Sequence, residues 1–193
     1  MTKEPTLLRL IASQILCLFM LIVPNFGYGQ NAPVVVELFS SQGCSSCPPA
    51  DEYLVELAQK RDIIALGWHV DYWDYIGWED IFAHPAFTER QKAYARALNE
   101  RMIYTPQFIV NGAESSVAGQ RAEVAALIQK YEQLAPGADL SIRRMGTSYE
   151  ITLQNAYSSG PYDVHLVGVS PLETVEIYRG ENAGRRIDFM PIL

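Results

Sequence analysis

A Cys-x-x-Cys pair at a strand-to-helix junction constrains this chain more than any other feature. Residues 34–39 (VVVELF) form a short β-branched run, as a buried strand should. The run leads straight into Ser40-Ser41-Gln42-Gly43-Cys44-Ser45-Ser46-Cys47-Pro48-Pro49. Proline is accepted in the first turn of a helix and hardly elsewhere in it. Behind the prolines, Leu54, Leu57 and Ala58 recur at helical spacing. The cysteines therefore lie where a strand turns into a helix.

The pattern continues as strand and helix in alternation. Residues 63–70 (IIALGWHV) read as a second buried strand, followed by an aromatic and acidic stretch, 71–82, with no assignable period. Thr88 and Gln91, three residues apart, fit a capping box, which predicts a helix with Tyr94, Ala97, Leu98 and Met102 on one face. His84-Pro85 then closes the loop before it. Thr105-Pro106 leads into 107–110 (QFIV), Asn111-Gly112 and 113–117, and Asn-Gly between extended runs predicts a hairpin. Val124, Leu127, Ile128 and Tyr131 mark one more helix, stopped by Pro136-Gly137. Strands separated by helices imply parallel pairing, and the hairpin adds an antiparallel edge, so the class is α/β. Beyond Gly137, Tyr149, Ile151 and Leu153 alternate with polar residues, and 140–144, 163–169 and 174–178 look similar. They predict a small antiparallel sheet packed on the first domain.

Length and charge narrow the function. A chain of 193 residues suits one domain with an appendage. A charged fraction of 19% is too high for a multispanning membrane protein, and a net charge of −7 argues against nucleic acid. Lys3 and Arg9 precede an apolar run at 10–23, then Pro24, then Gly27-Tyr28-Gly29. That is the secretory pattern; the alternative is an uncleaved anchor, and both put the folded part outside the cytoplasm, periplasmic or secreted. Cleavage after Gly29 removes Lys3, Glu4 and Arg9, taking the charge to −8, and it removes Cys17. Two cysteines remain, Cys44 and Cys47, in a compartment where disulfides persist. The expected organisation is a signal at 1–29, an α/β domain at 30–136 and a β-rich extension at 137–193.

A lone Cys-x-x-Cys has three readings: a redox dithiol, half of a zinc site, or an inert bridge. Zinc needs two further ligands, and His69, His84 and His165 do not pair at ligand spacing. A bridge across two residues closes a loop too small to constrain the unfolded chain much. Position favours redox chemistry, because free N–H groups and the dipole at a helix N-terminus stabilise a thiolate. Cys44, at the mouth of the turn, is then the nucleophile and Cys47 the resolving cysteine. Lys, Arg and His are missing beside the pair, so the dipole does most of the activating.

Strand, Cys-x-x-Cys helix, strand, helix, Thr-Pro, hairpin and last helix together resemble the thioredoxin fold. The resemblance implies a cis Pro106, preceded by Thr105, beside the dithiol. It also implies a proton-relay role for Glu37, similar to the buried acid of thioredoxin's first strand; the alternative is an end-of-strand residue reaching solvent. Gly43 stands where thioredoxins place a tryptophan, and Ser45-Ser46 replaces the dipeptides of known oxidoreductases. More closely, VVELFSSQGCSSCPPAD, HVDYWD, FTERQKAYA and YTPQFIVNG resemble a bacterial family of secreted thioredoxin-like proteins of unknown function, domain of unknown function 1223. The likeness extends more loosely through Arg179-Gly180-Glu181-Asn182. Family members continue past that segment, and residues 186–193 (RIDFMPIL) do not resemble the continuation, which leaves the completeness of the appended sheet open.

The expected function is an exported thiol–disulfide oxidoreductase that needs no dissociable cofactor. It acts on protein thiols or disulfides outside the cytoplasm with an unidentified redox partner, without nucleic acid, and meets the membrane only through an uncleaved signal. One alternative is a binding module with a structural Cys44–Cys47 bridge. Another is a copper-handling protein using both thiols and His69. Trp68, Trp73 and Trp78, with Tyr72 and Tyr75, are either a platform for a client or an insertion packed by its own aromatics. His69, Asp71 and Asp74 are metal candidates against a structural reading, and His165 is read as surface.

Overall fold

The computed structural model describes residues 32–117, 120–134, 138–154, 156, 163–190 and 192–193. The expected signal at 1–29 and the Pro136-Gly137 helix stop lie outside the described residues. The first strand, β1 (Val34–Ser40), is followed by helix α1 (Pro48–Ala58) and strand β2 (Ile63–His69). After a short 3-10 turn at Asp74–Ile76 come α2 (Pro85–Ala97), β3 (Gln107–Val110), β4 (Glu114–Val117) and α3 (Arg121–Glu132). One four-stranded sheet runs β2-β1-β3-β4, with β1 parallel to β2 and the β3–β4 hairpin antiparallel. The expected α/β class with its antiparallel edge is what forms. Asn111 and Gly112 both take left-handed backbone at the hairpin turn, as the Asn-Gly pair predicts.

Alternation along β1 sorts the two faces. Val34, Val36 and Leu38 join Leu54 and Leu57 of α1 and Val124 and Ile128 of α3 in one buried core. Phe39 points the other way, into a second core with Trp68, Val70 and Ile109, on which Phe87, Tyr94 and Leu98 pack. The sheet is thus sandwiched between α1 and α3 on one side and α2 on the other.

Helix α2 starts earlier than the capping box predicts. His84, not Thr88, is the N-cap, its Nδ1 accepting from the Ala86 N–H at 3.1 Å, and Pro85 takes the first turn, where a missing N–H costs nothing. Thr88, inside the helix, donates its hydroxyl to Asp71 at 2.6 Å. The helix ends at Ala97, so Met102 lies beyond it, exposed.

The extension departs from one packed sheet. Strands β5 (Asp139–Met145) and β6 (Ser148–Gln154) pair only with each other, leaving Leu140, Ile142, Ile151 and Leu153 exposed. Residues 163–169 form no strand. Strands β7 (Glu173–Glu176) and β8 (Arg186–Phe189) form a third sheet, and β8 lies within the segment that matched no expected continuation. Ile177, Ile187, Phe189 and Ile192 make a small core against Trp78 and Phe82, which binds the extension to the aromatic stretch.

Candidate functional site

Cys44 and Cys47 form a disulfide in the loop joining β1 to α1. A turn at Ser41 sets the loop: Ser41 O accepts from Cys44 N–H at 3.1 Å, and its hydroxyl from Gly43 N–H at 3.1 Å. Cys47 N–H then donates to Cys44 O at 3.2 Å, and Cys47 caps α1. Here the expected activation meets a limit. Pro48 and Pro49 fill the first two helical positions and carry no N–H, while those of Ala50 and Asp51 go to Cys47 O at 2.8 and 3.1 Å. What the helix offers a thiolate is its N-terminal pole rather than free donors.

Both cysteines are 0% exposed, although Ser45 and Ser46 between them face solvent. The aromatic stretch and the extension both pack on this loop, and the Ser46 hydroxyl lies 3.4 Å from Cys44 Sγ. A Cβ on Gly43 would sit 3.2 Å from Trp73 Cβ, so Trp73 takes up the space a side chain there would need. Trp73 Nε1 donates to Thr105 Oγ1 at 2.8 Å, linking the loop region to the cis Thr105–Pro106 bond. Trp78 Nε1 donates to Gln42 Oε1 at 2.8 Å. The tryptophans are thus spread: Trp68 lies in a core, and the other two brace the dithiol loop and its flank.

Next to this loop lies a buried polar cluster. Asp80 Oδ2 accepts from Gln42 N–H at 2.7 Å and lies 2.6 Å from His69 Nδ1. Asp51, one helical turn after Cys47, is buried beside them; a cavity of about 10 Å³ is lined by Ser40, Asp51 and His69 among others. Neither Ser40 Oγ nor Asp51 Oδ2 completes a hydrogen bond among the described residues. Burial pushes the Asp51 carboxyl up to about 7, against the opposing pull of the His69 charge. Burial works to lower His69, but the bond and charge of Asp80, then the charge of Asp51, leave it raised.

Glu37 sits mid-strand, 2% exposed, so it is not an end-of-strand residue reaching solvent. It faces α2, where Arg90 grips its carboxylate through Nε at 2.7 Å and Nη2 at 3.0 Å, and the Tyr94 hydroxyl donates to it. His69, Asp71 and Asp74 do not converge: Asp71 serves Thr88, and Asp74 accepts from the Asp80 N–H. Among the described residues no group of three potential ligands is placed to hold a metal. His165 is exposed.

Asp51, Asp80 and Asn182 escape a motif-led reading. Asp51 left a signal as an acid in phase with the apolar stripe of Leu54 and Ala58, Asn182 lies in the Arg179-Gly180-Glu181-Asn182 segment without a role attached to it, and Asp80 left none.

A family model for proteins of unknown function, DUF1223, matches residues 35–192. This chain belongs to the DUF1223 family. A crystal structure of a structural-genomics target protein from Agrobacterium tumefaciens is similar to it, with 35% identity and a TM-score of 0.70. That likeness covers 83% of this chain and 69% of the other. No curated protein matches. The DUF1223 match takes in the dithiol loop, the aromatic stretch and the extension, so the parts that enclose the disulfide fall within one family unit.

Proposed function

We propose that this DUF1223 protein is an exported thiol–disulfide oxidoreductase built on a thioredoxin-like fold. The observation that carries the proposal is the Cys44–Cys47 disulfide at the junction of a central strand and a helix. The strand order β2-β1-β3-β4 and the cis Thr105–Pro106 bond support the thioredoxin-like part. In the exchange, a partner thiolate attacks Cys44 Sγ and the bond to Cys47 breaks, its electron pair leaving on Cys47, which takes up a proton. A second partner thiolate then attacks the partner's own sulfur in the mixed disulfide and releases Cys44 as thiolate. The partner's two thiols leave as a disulfide, and this protein's disulfide becomes a dithiol; the reverse sequence starts from Cys44 as nucleophile. A groove of about 510 Å³ between Pro48, Pro49, Glu52 and Val55 and the edge of β8 offers room for a partner segment, starting at the residue that follows Cys47. Export rests on the basic and apolar start of the sequence; among the described residues no helix is long and apolar enough to cross a membrane.

One observation favours a second reading. Neither cysteine has exposed surface, as a structural bridge in a binding module would have it. Equilibrating the purified protein against glutathione and counting free thiols by mass separates the two. A potential of roughly −120 to −270 mV is the expected result, and one below about −300 mV makes the bridge structural.

A further inference from the structure

Asn182 stands 138 residues after Cys44, yet its side chain is buried against the dithiol loop. Its single amide nitrogen donates to Gln42 O at 2.8 Å and to Cys44 O at 2.8 Å. An NH₂ group has two hydrogens, and here both are committed to the two carbonyls that flank Gly43. We infer that Asn182 is a positioning residue of the dithiol site: its amide holds the Cys44 end of the loop closed, so the extension governs how fast an outside thiol reaches the disulfide.

Three further observations support the latch. The turn that carries Asn182 is seated by Gly180, whose φ is +73° and whose added Cβ would meet Trp78 Cβ at 3.2 Å. Trp78 in turn holds the Gln42 side chain, and Asp80 holds the Gln42 N–H, so extension, aromatic stretch and dithiol loop interlock around one residue. The second observation is the complete burial of both cysteines. A thiolate reaching Cys44 Sγ must come in line with the breaking bond, from the side away from Cys47, and with the loop closed neither sulfur presents a surface. Third, the clamp is incompletely satisfied. Asn182 Oδ1 and Gln42 Nε2 are buried without partners among the described residues. A contact that strands a donor and an acceptor gains less from staying shut than one with every atom paired, which suits a closure that opens.

The inference draws its purpose from the exchange reading, while its geometry stands apart from it. The test is the rate at which excess dithiothreitol reduces the disulfide in the full-length folded protein, read by alkylation and mass. Asn182→Ala removes both donors, and Asn182→Asp keeps the size while offering no N–H. Both should speed reduction on the order of tenfold, the effect of losing two modest hydrogen bonds. Gly180→Ala pries the same turn from Trp78 with Asn182 intact, and should accelerate reduction too, which keeps the test open if an Asn182 variant folds poorly. Ile128→Ala, in the core beneath α3, serves as a control for general destabilisation and should leave the rate near wild type. Wild-type rates in the Asn182 variants overturn the inference, as does equal acceleration by Ile128→Ala. A potential in the structural range ends the exchange reading without touching this comparison. Unchanged rates end the latch whatever the potential.

Discussion

Asp51 carries the clearest pH signature in the molecule. Its carboxyl titrates near 7 in the fold against an ordinary value of 3.8, so the folded state keeps a proton that the unfolded chain has lost. Stability is then highest below the unfolded value and falls as pH rises toward 7, by about 1.4 kcal/mol per unit for one such group. His69, raised by Asp80 and Asp51 against its burial, pushes in the same direction: its contribution fades as pH climbs through its folded value. Asp51→Asn should remove the first dependence. Urea midpoints across pH 5 to 8 would show it gaining on wild type as pH increases, and parallel curves would mean that Asp51 does not titrate in this interval. Glu37 shows what a single residue hides. That it is an acid in a strand is plain from the sequence, but its partners Arg90 and Tyr94 are 53 and 57 residues away, and only the register of α2 on the sheet brings them together.

At the scale of elements, the start of α1 sets the chemistry of Cys47. An N-cap side chain ordinarily accepts from the second or third helical N–H. Pro49 removes the second, and Ala50 gives the third to the Cys47 carbonyl. Restoring a donor with Pro49→Ala, at an exposed position, should lower the Cys47 thiol pKa in the reduced protein by roughly half to one unit. Thiolate absorbance against pH would read it, and an unmoved curve would place the control of that thiol elsewhere. The core elements were legible because each carries its own period: the VVVELF run, the stripe of Leu54 and Leu57, and the Asn-Gly hairpin are all local. The start of α2 is hidden in the sequence because Thr88 and Gln91 satisfy the capping pattern one turn inside a helix that His84 and Pro85 begin. In the extension, alternation marked β5 and β6 but could not say whether anything covers them. The pieces that enclose the dithiol were illegible for a different reason. Asn182 and Asp80 act through the backbone of Gln42, and no residue type announces a hydrogen bond to a main chain far away.

For the whole molecule, the disulfide contributes little to holding the fold. A bridge between residues three apart restricts only a few unfolded residues, worth about 2 kcal/mol or less by loop entropy. Cys44→Ser with Cys47→Ser should therefore lower stability modestly and preserve a cooperative transition. Collapse of that transition in denaturant would point to a bridge on which the fold depends. The separation between Cys44 and Asn182 has a consequence in time as well. A chain is made from its N-terminus, at about 5–20 residues per second, so the cysteines precede the residue that shuts them in by roughly 7 to 28 s. Until Asn182 folds back onto it the loop is unroofed, and whatever oxidises the pair can act before the extension closes. The newborn protein thus passes once through an open form that the finished one must spend energy to revisit.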